Sequence, residues 1–492
     1  MSTIADLSPK CIWKNFYDLT QCPRPSRKEE KIVEFAYNFG KKLGLETIKD
    51  EAGNVIIRKP ATKGMEDRKG IILQGHLDMV PQKNSDVEFD FEKDPIKTRI
   101  EGDWVWATGT TLGADNGLGV AAAMAVLESD DIKHGPIEAL FTTTEETGMV
   151  GARALKPGLL KGEILINLDS ETEGELYVGC AGGLDMEAYF NCAAAPVPAG
   201  YETFNIAAKG FVGGHSGMDI ILYRANAIKV LTRALLPMVE KLGAKLVDIE
   251  GGTARNAIPR EAFATVALKK ESVGEAEKIV ATLLANIKNE YAATDKDADI
   301  VMTPAAAPAA EAMDDKSALS LLRALLACPS SVARMSDSMP GMVETSNNMA
   351  IVAKENGKMV VKCMLRSSVD SAKDLLAEEI RAIFEMAGAE CQSFGGYSGW
   401  QPNMESPILK SMLEVYKNLF GVEAEIKAIH AGLECGILGG VYPNWDMISC
   451  GPTLLSPHSP NERAYIPSVE KFWKFLKATL ENAPKEIGRA HV

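Results

Sequence analysis

The chain has 492 residues, more than one ordinary domain holds, so at least two domains are expected. Hydrophobic residues make up 46% and charged residues 24%, a globular composition, and no run approaches the roughly 18 apolar residues of a membrane helix. The net charge of −14 argues against a nucleic-acid partner, and nine scattered cysteines without a CxxC pair suit reduced thiols better than a disulfide framework.

The N-terminus has no basic head followed by an apolar stretch, so no secretory signal is expected and the chain is placed in the cytoplasm. From Glu29 to Leu43 apolar residues recur at Ile32, Val33, Phe35, Ala36 and Phe39, a helical spacing that Gly44 can end. Buried-strand runs follow at 70–73 (GIIL), 137–141 (IEALF) and 164–169 (ILINLD). The Ala- and Leu-rich stretch 114–127 between the first two reads as a helix. Strands alternating with helices predict a layered α/β domain. From about Gly183 acidic and histidine residues near strand ends become sparse, and a short echo appears. Residues 266–284 read as a strand followed by an amphipathic helix; 362–380 repeat that order with one residue fewer at the turn. Residues 303–312 (TPAAAPAAEA) read as a Pro/Ala linker. These features predict a first catalytic part over 1–184, an inserted domain of two similar halves over 185–396, and a second catalytic part over 397–492.

The candidate chemistry lies at the ends of the predicted strands. In Gly75-His76-Leu77-Asp78, residues two apart share a side, so Asp78 can hold one ring nitrogen of His76 while the other meets a metal. Asp115 stands where the helix should begin and could equally be its N-cap. Glu145 and Glu146 are adjacent carboxylates that repel unless a cation or proton lies between them, or else form a solvated acidic loop. Asp169 closes ILINLD, and His458 lies in a proline-rich loop, where a surface histidine is the ordinary explanation. Taken singly, each has a bland reading. Together, one His, one Asp, one Glu, one Asp and one His supply nitrogen and oxygen ligands that suit zinc, with manganese or cobalt as alternatives. Sharing one carboxylate between two ions gives each three protein ligands and leaves room for a water, the layout of a two-metal hydrolase, with Glu145 as the spare general base.

GHLDMVPQ, GTTLGADNGLG, TTEETGM, INLDSE, AGLECG and GPTLLSPHSP together resemble the Xaa-His (aminoacyl-histidine) dipeptidases. These belong to the two-metal exopeptidase family that includes carnosinase, peptidase T and carboxypeptidase G. The resemblance runs from 59–69 (KPATKGMEDRK) to the PHSP loop. It implies an α/β catalytic domain with an inserted α+β lid domain, two divalent metal ions, an unblocked dipeptide as substrate and a homodimer. By the resemblance, His76 and Asp169 bind one metal, Glu146 and His458 the other, and Asp115 bridges them ahead of a cis peptide bond to Asn116. Asp78 orients His76, and Glu145 is the general base. His215 in GGHSG matches a histidine that stabilises the oxyanion, Asn256 a lid asparagine that reaches the substrate, and Arg366 a residue that grips the terminal carboxylate. Glu434 in AGLECG falls in the family's substrate loop.

His134 and His491 carry no motif and are expected at the surface; His430 is expected to be structural or to face the substrate. Asn347 stands where relatives often have Leu, a change expected to alter local packing. An N-acyl amino acid amidohydrolase of the same metal chemistry, or a catalytically inactive binding protein on this fold, are the rival readings. A serine hydrolase is disfavoured because Gly214-His215-Ser216-Gly217 lacks the GxSxG spacing. The C-terminal EIGRAHV is assigned no role.

Overall fold

The computed structural model describes residues 3–485, so His491 and the EIGRAHV tail lie outside the described residues. The chain divides into two compact units. The first comprises the residues up to Gly179, Pro402–Ala428 and those from Leu433 on; the second comprises Cys180–Gln401 and Ile429–Gly432. The insert was expected at 185–396, and the compact unit starts earlier, ends later and takes in a distant four-residue segment.

The first unit is built on an eight-stranded sheet in the order Glu46–Lys49, Val55–Lys59, Ile137–Thr142, Ile71–His76, Ile164–Asn167, Asp446–Ser449, Glu175–Cys180, Glu425–Ile429. Ile71–His76 pairs in parallel with both Ile137–Thr142 and Ile164–Asn167, and the latter pairs in parallel with Asp446–Ser449. Three of these strands are buried at every residue, which is why their sequences are continuous apolar runs rather than alternating ones. The Ala-rich helix Ala114–Glu128 lies against Ile71–His76, and Lys10–Thr20 packs on that helix. Small side chains permit this close approach: a Cβ at Gly117 would fall 2.8 Å from the Phe16 ring. In open α/β sheets functional groups gather beyond the carboxyl ends of such parallel strands.

The second unit is an antiparallel eight-strand path with four helices packed into one core. Its order is Asp299–Pro304, Tyr201–Lys209, Ala262–Lys269, Lys245–Gly251, Val343–Glu355, Lys358–Ser367, Gly182–Phe190, Glu390–Tyr397. Each half runs strand–helix–strand–strand–helix–strand, the split βαβ arrangement. The echo segments occupy equivalent places. Ala262–Lys269 leads to Val273–Glu290 through three residues, 270–272, and Lys358–Ser367 leads to Asp370–Met386 through two, 368–369. The Pro/Ala stretch is linker only in its middle. Its start completes the strand Asp299–Pro304, and Glu311–Met313 pairs with Ala194–Pro196.

Candidate functional site

His76 is the last residue of its strand; Glu145 and Glu146 follow Thr142, Asp169 follows Asn167, and Asp115 sits in the first turn of Ala114–Glu128. The carboxyl ends of three neighbouring strands and the start of one helix thus carry these side chains. Thr144 (φ 53°) and His458 (φ 59°) hold left-handed backbone that side-chain-bearing residues adopt only where the surroundings enforce it. The Asp115–Asn116 peptide bond is cis.

Asp115 offers one carboxylate oxygen to each histidine. Its Oδ1 lies 3.0 Å from His76 Nε2, which is also 3.4 Å from Asp169 Oδ1. Its Oδ2 lies 3.1 Å from His458 Nε2, which is also 3.0 Å from Glu146 Oε2. Metal–ligand bonds of 2.0–2.2 Å in a tetrahedron separate donors by roughly 3.3–3.6 Å, so both groups are near the spacing one ion requires. Glu146 Oε1 and Asp169 Oδ1 are buried without a hydrogen-bond partner, a state that a cation would relieve. A third grouping, His76 with Glu145 and Glu146, has its ligand atoms within 4.8 Å of one another. The residues present therefore fit a pair of metal ions sharing Asp115.

Asp78 ties these parts together. Its backbone oxygen lies 3.1 Å and its Oδ1 3.4 Å from His76 Nδ1, while its two carboxylate oxygens accept the N–H groups of Glu145 at 3.0 Å and Glu146 at 3.2 Å. Burial and mutual hydrogen bonding shift the protonation of these groups. Burial pushes Asp169 up to about 8 and holds Glu145 well above the usual carboxylate range. Hydrogen bonds that its ring donates to Asp115 and Glu146 push His458 up to about 11. Burial opposes charge on His76, yet Asp169, Asp115 and Asp78 together hold its pKa well above the ordinary value.

Glu434 opens the helix Glu434–Val441 and is only 1% exposed. Its Oε2 accepts from Gln74 Nε2 at 2.5 Å and Thr142 Oγ1 at 2.7 Å, and its Oε1 has no partner. Burial pushes its carboxyl up to about 7. Gln74 continues to Asn167, whose Nδ2 donates to Gln74 Oε1 at 2.6 Å, and Ser449 donates to Asn167 in turn. This buried polar row beneath the site was not anticipated; its sequence trace is one polar residue (Thr142, Gln74, Asn167, Ser449) toward the carboxyl end of each of four neighbouring strands.

Two further residues escaped the sequence reading. Glu462, 2% exposed, accepts four consecutive backbone N–H groups: Leu112 at 2.7, Gly113 at 2.9, Ala114 at 2.7 and Asp115 at 3.2 Å. Arg24, also 2% exposed, donates to the carbonyls of Leu77 at 3.0 Å, Asp78 at 3.1 Å and Gly113. Neither matched a motif, because both act on backbone groups.

His215, Asn256 and Arg366 belong to the second unit, where they form a cluster of their own. His215 Nδ1 accepts the N–H groups of Gly217 at 3.2 Å and Met218 at 3.0 Å. The neutral ring therefore carries its hydrogen on Nε2. Burial and then Arg366 lower the pKa of His215, favouring that neutral form. The Ser216 N–H donates to Asn256 O at 2.8 Å, and Ser216 Oγ lies 3.4 Å from Arg366 Nε. Asn348 Nδ2 donates to Arg255 O at 3.1 Å and Ala257 O at 2.8 Å, pinning the turn that exposes Asn256. His430 is buried with Nε2 2.7 Å from Ser346 Oγ, and burial and Arg366 push its pKa down to about 3. Asn347 is buried and donates to Pro329 O at 2.6 Å. His134 corrects the surface expectation. It is fully buried, because its backbone is locked to Thr62 on both sides and its ring turns in to bond Gly135 O at 2.7 Å.

The pattern of Peptidase family M20/M25/M40 matches residues 72–482. The chain belongs to this peptidase family. It is 45% identical over 484 residues to the cytosol non-specific dipeptidase of Escherichia coli (strain K12), covering 98% of this chain and 100% of that protein. It superposes on the crystal structure of aminoacylhistidine dipeptidase from Vibrio alginolyticus with a TM-score of 0.94 and 44% identity, over 99% of each chain. The aminopeptidase PepT of Bacillus cereus, at 17% identity, TM-score 0.56 and 97% and 99% coverage, shares the M20 fold. The α/β architecture of the first unit, with donors at the carboxyl ends of its parallel strands, is thus that of an M20 peptidase.

Proposed function

We propose that the protein is a two-metal dipeptidase that hydrolyses unblocked dipeptides, Xaa-His dipeptides among them. The observation that carries this reading is Asp115, whose two carboxylate oxygens each meet a separate histidine–carboxylate pair. The Escherichia coli and Vibrio relatives, a cytosol non-specific dipeptidase and an aminoacylhistidine dipeptidase, suggest the substrate class. His76, Asp169 and Asp115 would hold one ion and Glu146, His458 and Asp115 the other, with zinc expected ahead of manganese or cobalt. Two such ions supply an acidified water and a polarised scissile carbonyl.

The residues of the chain do the rest. Asp78 holds the His76 ring and the Glu145–Glu146 turn in place. Glu145, whose burial raises its proton affinity, takes the proton of the attacking water and returns it to the leaving amine. His215 donates its Nε2 hydrogen to the developing oxyanion, the need that its accepting Nδ1 leaves it free to meet. Asn256 binds the substrate, Arg366 its terminal carboxylate, and the unpartnered Oε1 of Glu434 its free ammonium. A homodimer, an inserted lid and a cytoplasmic location complete the reading. Among the described residues no helix is long and apolar enough to cross a membrane.

The test is hydrolysis of a dipeptide panel, including Xaa-His members and their N-acyl counterparts, before and after chelation and with metals restored. Chelator-sensitive cleavage of free dipeptides supports the reading. Preference for N-acyl amino acids would favour the amidohydrolase, and no hydrolysis with two ions bound would favour a binding protein.

A further inference from the structure

We propose that Arg24 and Glu462 form a positioning clamp on Asp115, one that fixes its two oxygens midway between the two groups of metal donors. This rests on the two-metal reading above and assigns a task to two residues outside the donor set.

The loop 112–115 turns four N–H groups in succession toward one place, and the group that fills it is the chain's own Glu462 carboxyl. A carboxylate has two oxygens with about four lone-pair sites, matching four donors. Glu462 stands four residues beyond His458. Asp115 and His458 therefore meet at 3.1 Å in front, while Glu462 ties their loops together behind. Arg24 works from the carbonyl side. It bonds the carbonyl of Gly113, whose own N–H goes to Glu462, and with the same guanidinium bonds Leu77 and Asp78 beside His76. The backbone of Arg24 and the residues after it is also fastened there: Met79 N donates to Arg24 O at 3.1 Å and Ser26 N to Met79 O at 3.0 Å. Three donor-bearing loops are thus joined through a single turn, by one buried guanidinium and one buried carboxyl group.

The glycines of GADNG give independent support. Gly113 has φ +69°, and a Cβ at either Gly113 or Gly117 would fall 2.6 Å from Arg24 Nη2. The motif keeps open the space in which the guanidinium lies. Neither clamp residue is assigned to the metals, so both are positioning residues rather than catalytic ones. Glu462→Gln keeps the size but offers one acceptor oxygen, setting an NH2 against N–H donors. Arg24→Lys keeps the charge but loses the planar fork that reaches three carbonyls at once.

The experiment loads full-length protein with zinc(II) and challenges it with graded chelator, measuring zinc per chain by elemental analysis. Wild type, Glu462→Gln, Arg24→Lys and Glu146→Gln are compared, with the melting temperature of each metal-free protein recorded. Because the clamp acts through the shared carboxylate, Glu462→Gln and Arg24→Lys should weaken both ions together, by about 10–100-fold in affinity. Glu146→Gln should weaken mainly one. Should Glu462→Gln fail to fold, Arg24→Lys decides. Wild-type retention of both ions in the clamp variants, with or without a lower melting temperature, overturns the clamp and leaves the two-metal reading standing. A wild type that holds no pair of ions overturns both.

Discussion

Arg366 is 4% exposed, yet no carboxylate oxygen among the described residues lies within 4.0 Å of it, and the partner of its Nε is the neutral Ser216 hydroxyl at 3.4 Å. A buried cation without a counter-ion is costly, and a planar guanidinium matches a carboxylate in two parallel hydrogen bonds. The expected counter-ion is the free C-terminus of the substrate. Amidating a dipeptide removes that charge and leaves the guanidinium poorly paired, at about 2–5 kcal/mol for a buried pair. At about 1.4 kcal/mol per tenfold, kcat/KM should fall roughly 30- to 4,000-fold. The assay is a cycle of two enzymes and two substrates: wild type and Arg366→Ala, each with a free dipeptide and its amide. Arg366→Ala should be slow on the free dipeptide and nearly indifferent to amidation, because the partner of the carboxylate is already gone. Arg366→Lys should fall between, keeping charge without the fork. Equal cleavage of acid and amide by the wild type, or an equal loss on both in Arg366→Ala, would refute the carboxylate clamp.

Glu145→Gln should lower kcat by about 10²–10⁴ with zinc content unchanged. Glu146→Gln should lower zinc content, and the opposite pattern would exchange their roles. His215→Ala should slow turnover with both ions retained; an unaltered kcat removes His215 from the reaction. His430 gives a pH prediction. Its pKa is about 3 in the folded protein against an ordinary value of 6.5, so the unfolded chain binds the extra proton below about 6.5. Its contribution to stability is complete above that pH and declines as pH falls toward 3, by about 1.4 kcal/mol per pH unit. His430→Gln should flatten the acid limb of unfolding free energy by about one proton between pH 4 and 6; an unchanged slope would show that His430 charges freely in the fold.

How much of this was legible follows from which atoms carry each role. The proposed metal ligands His76, Asp115, Glu146, Asp169 and His458 would act through side chains that end strands, open a helix or stand in the loops after strands, so burial pattern and residue chemistry mark them in one dimension. Arg24 and Glu462 bond main-chain groups of loops 53 to 350 positions away, and main-chain donors are the same whatever the sequence. Only the glycines that make room for Arg24 leave a trace, and a glycine does not say what it makes room for. The edges of the insert were blurred for a similar reason. The strand Gly182–Phe190 begins two residues after Glu175–Cys180 ends, with no polar linker between, and Ile429–Gly432 joins the second unit through hydrogen bonds from Ala181 N. His134 failed in the opposite direction: a polar ring in a loop looks solvated until the loop is pinned to Thr62 and the ring finds a carbonyl inside. Side-chain chemistry repeated at equivalent topological positions can be read ahead of the structure. Roles routed through the backbone become visible only once the fold has brought the two stretches of chain together, and the fastening of Asp115 by Glu462 and Arg24 is of that second kind.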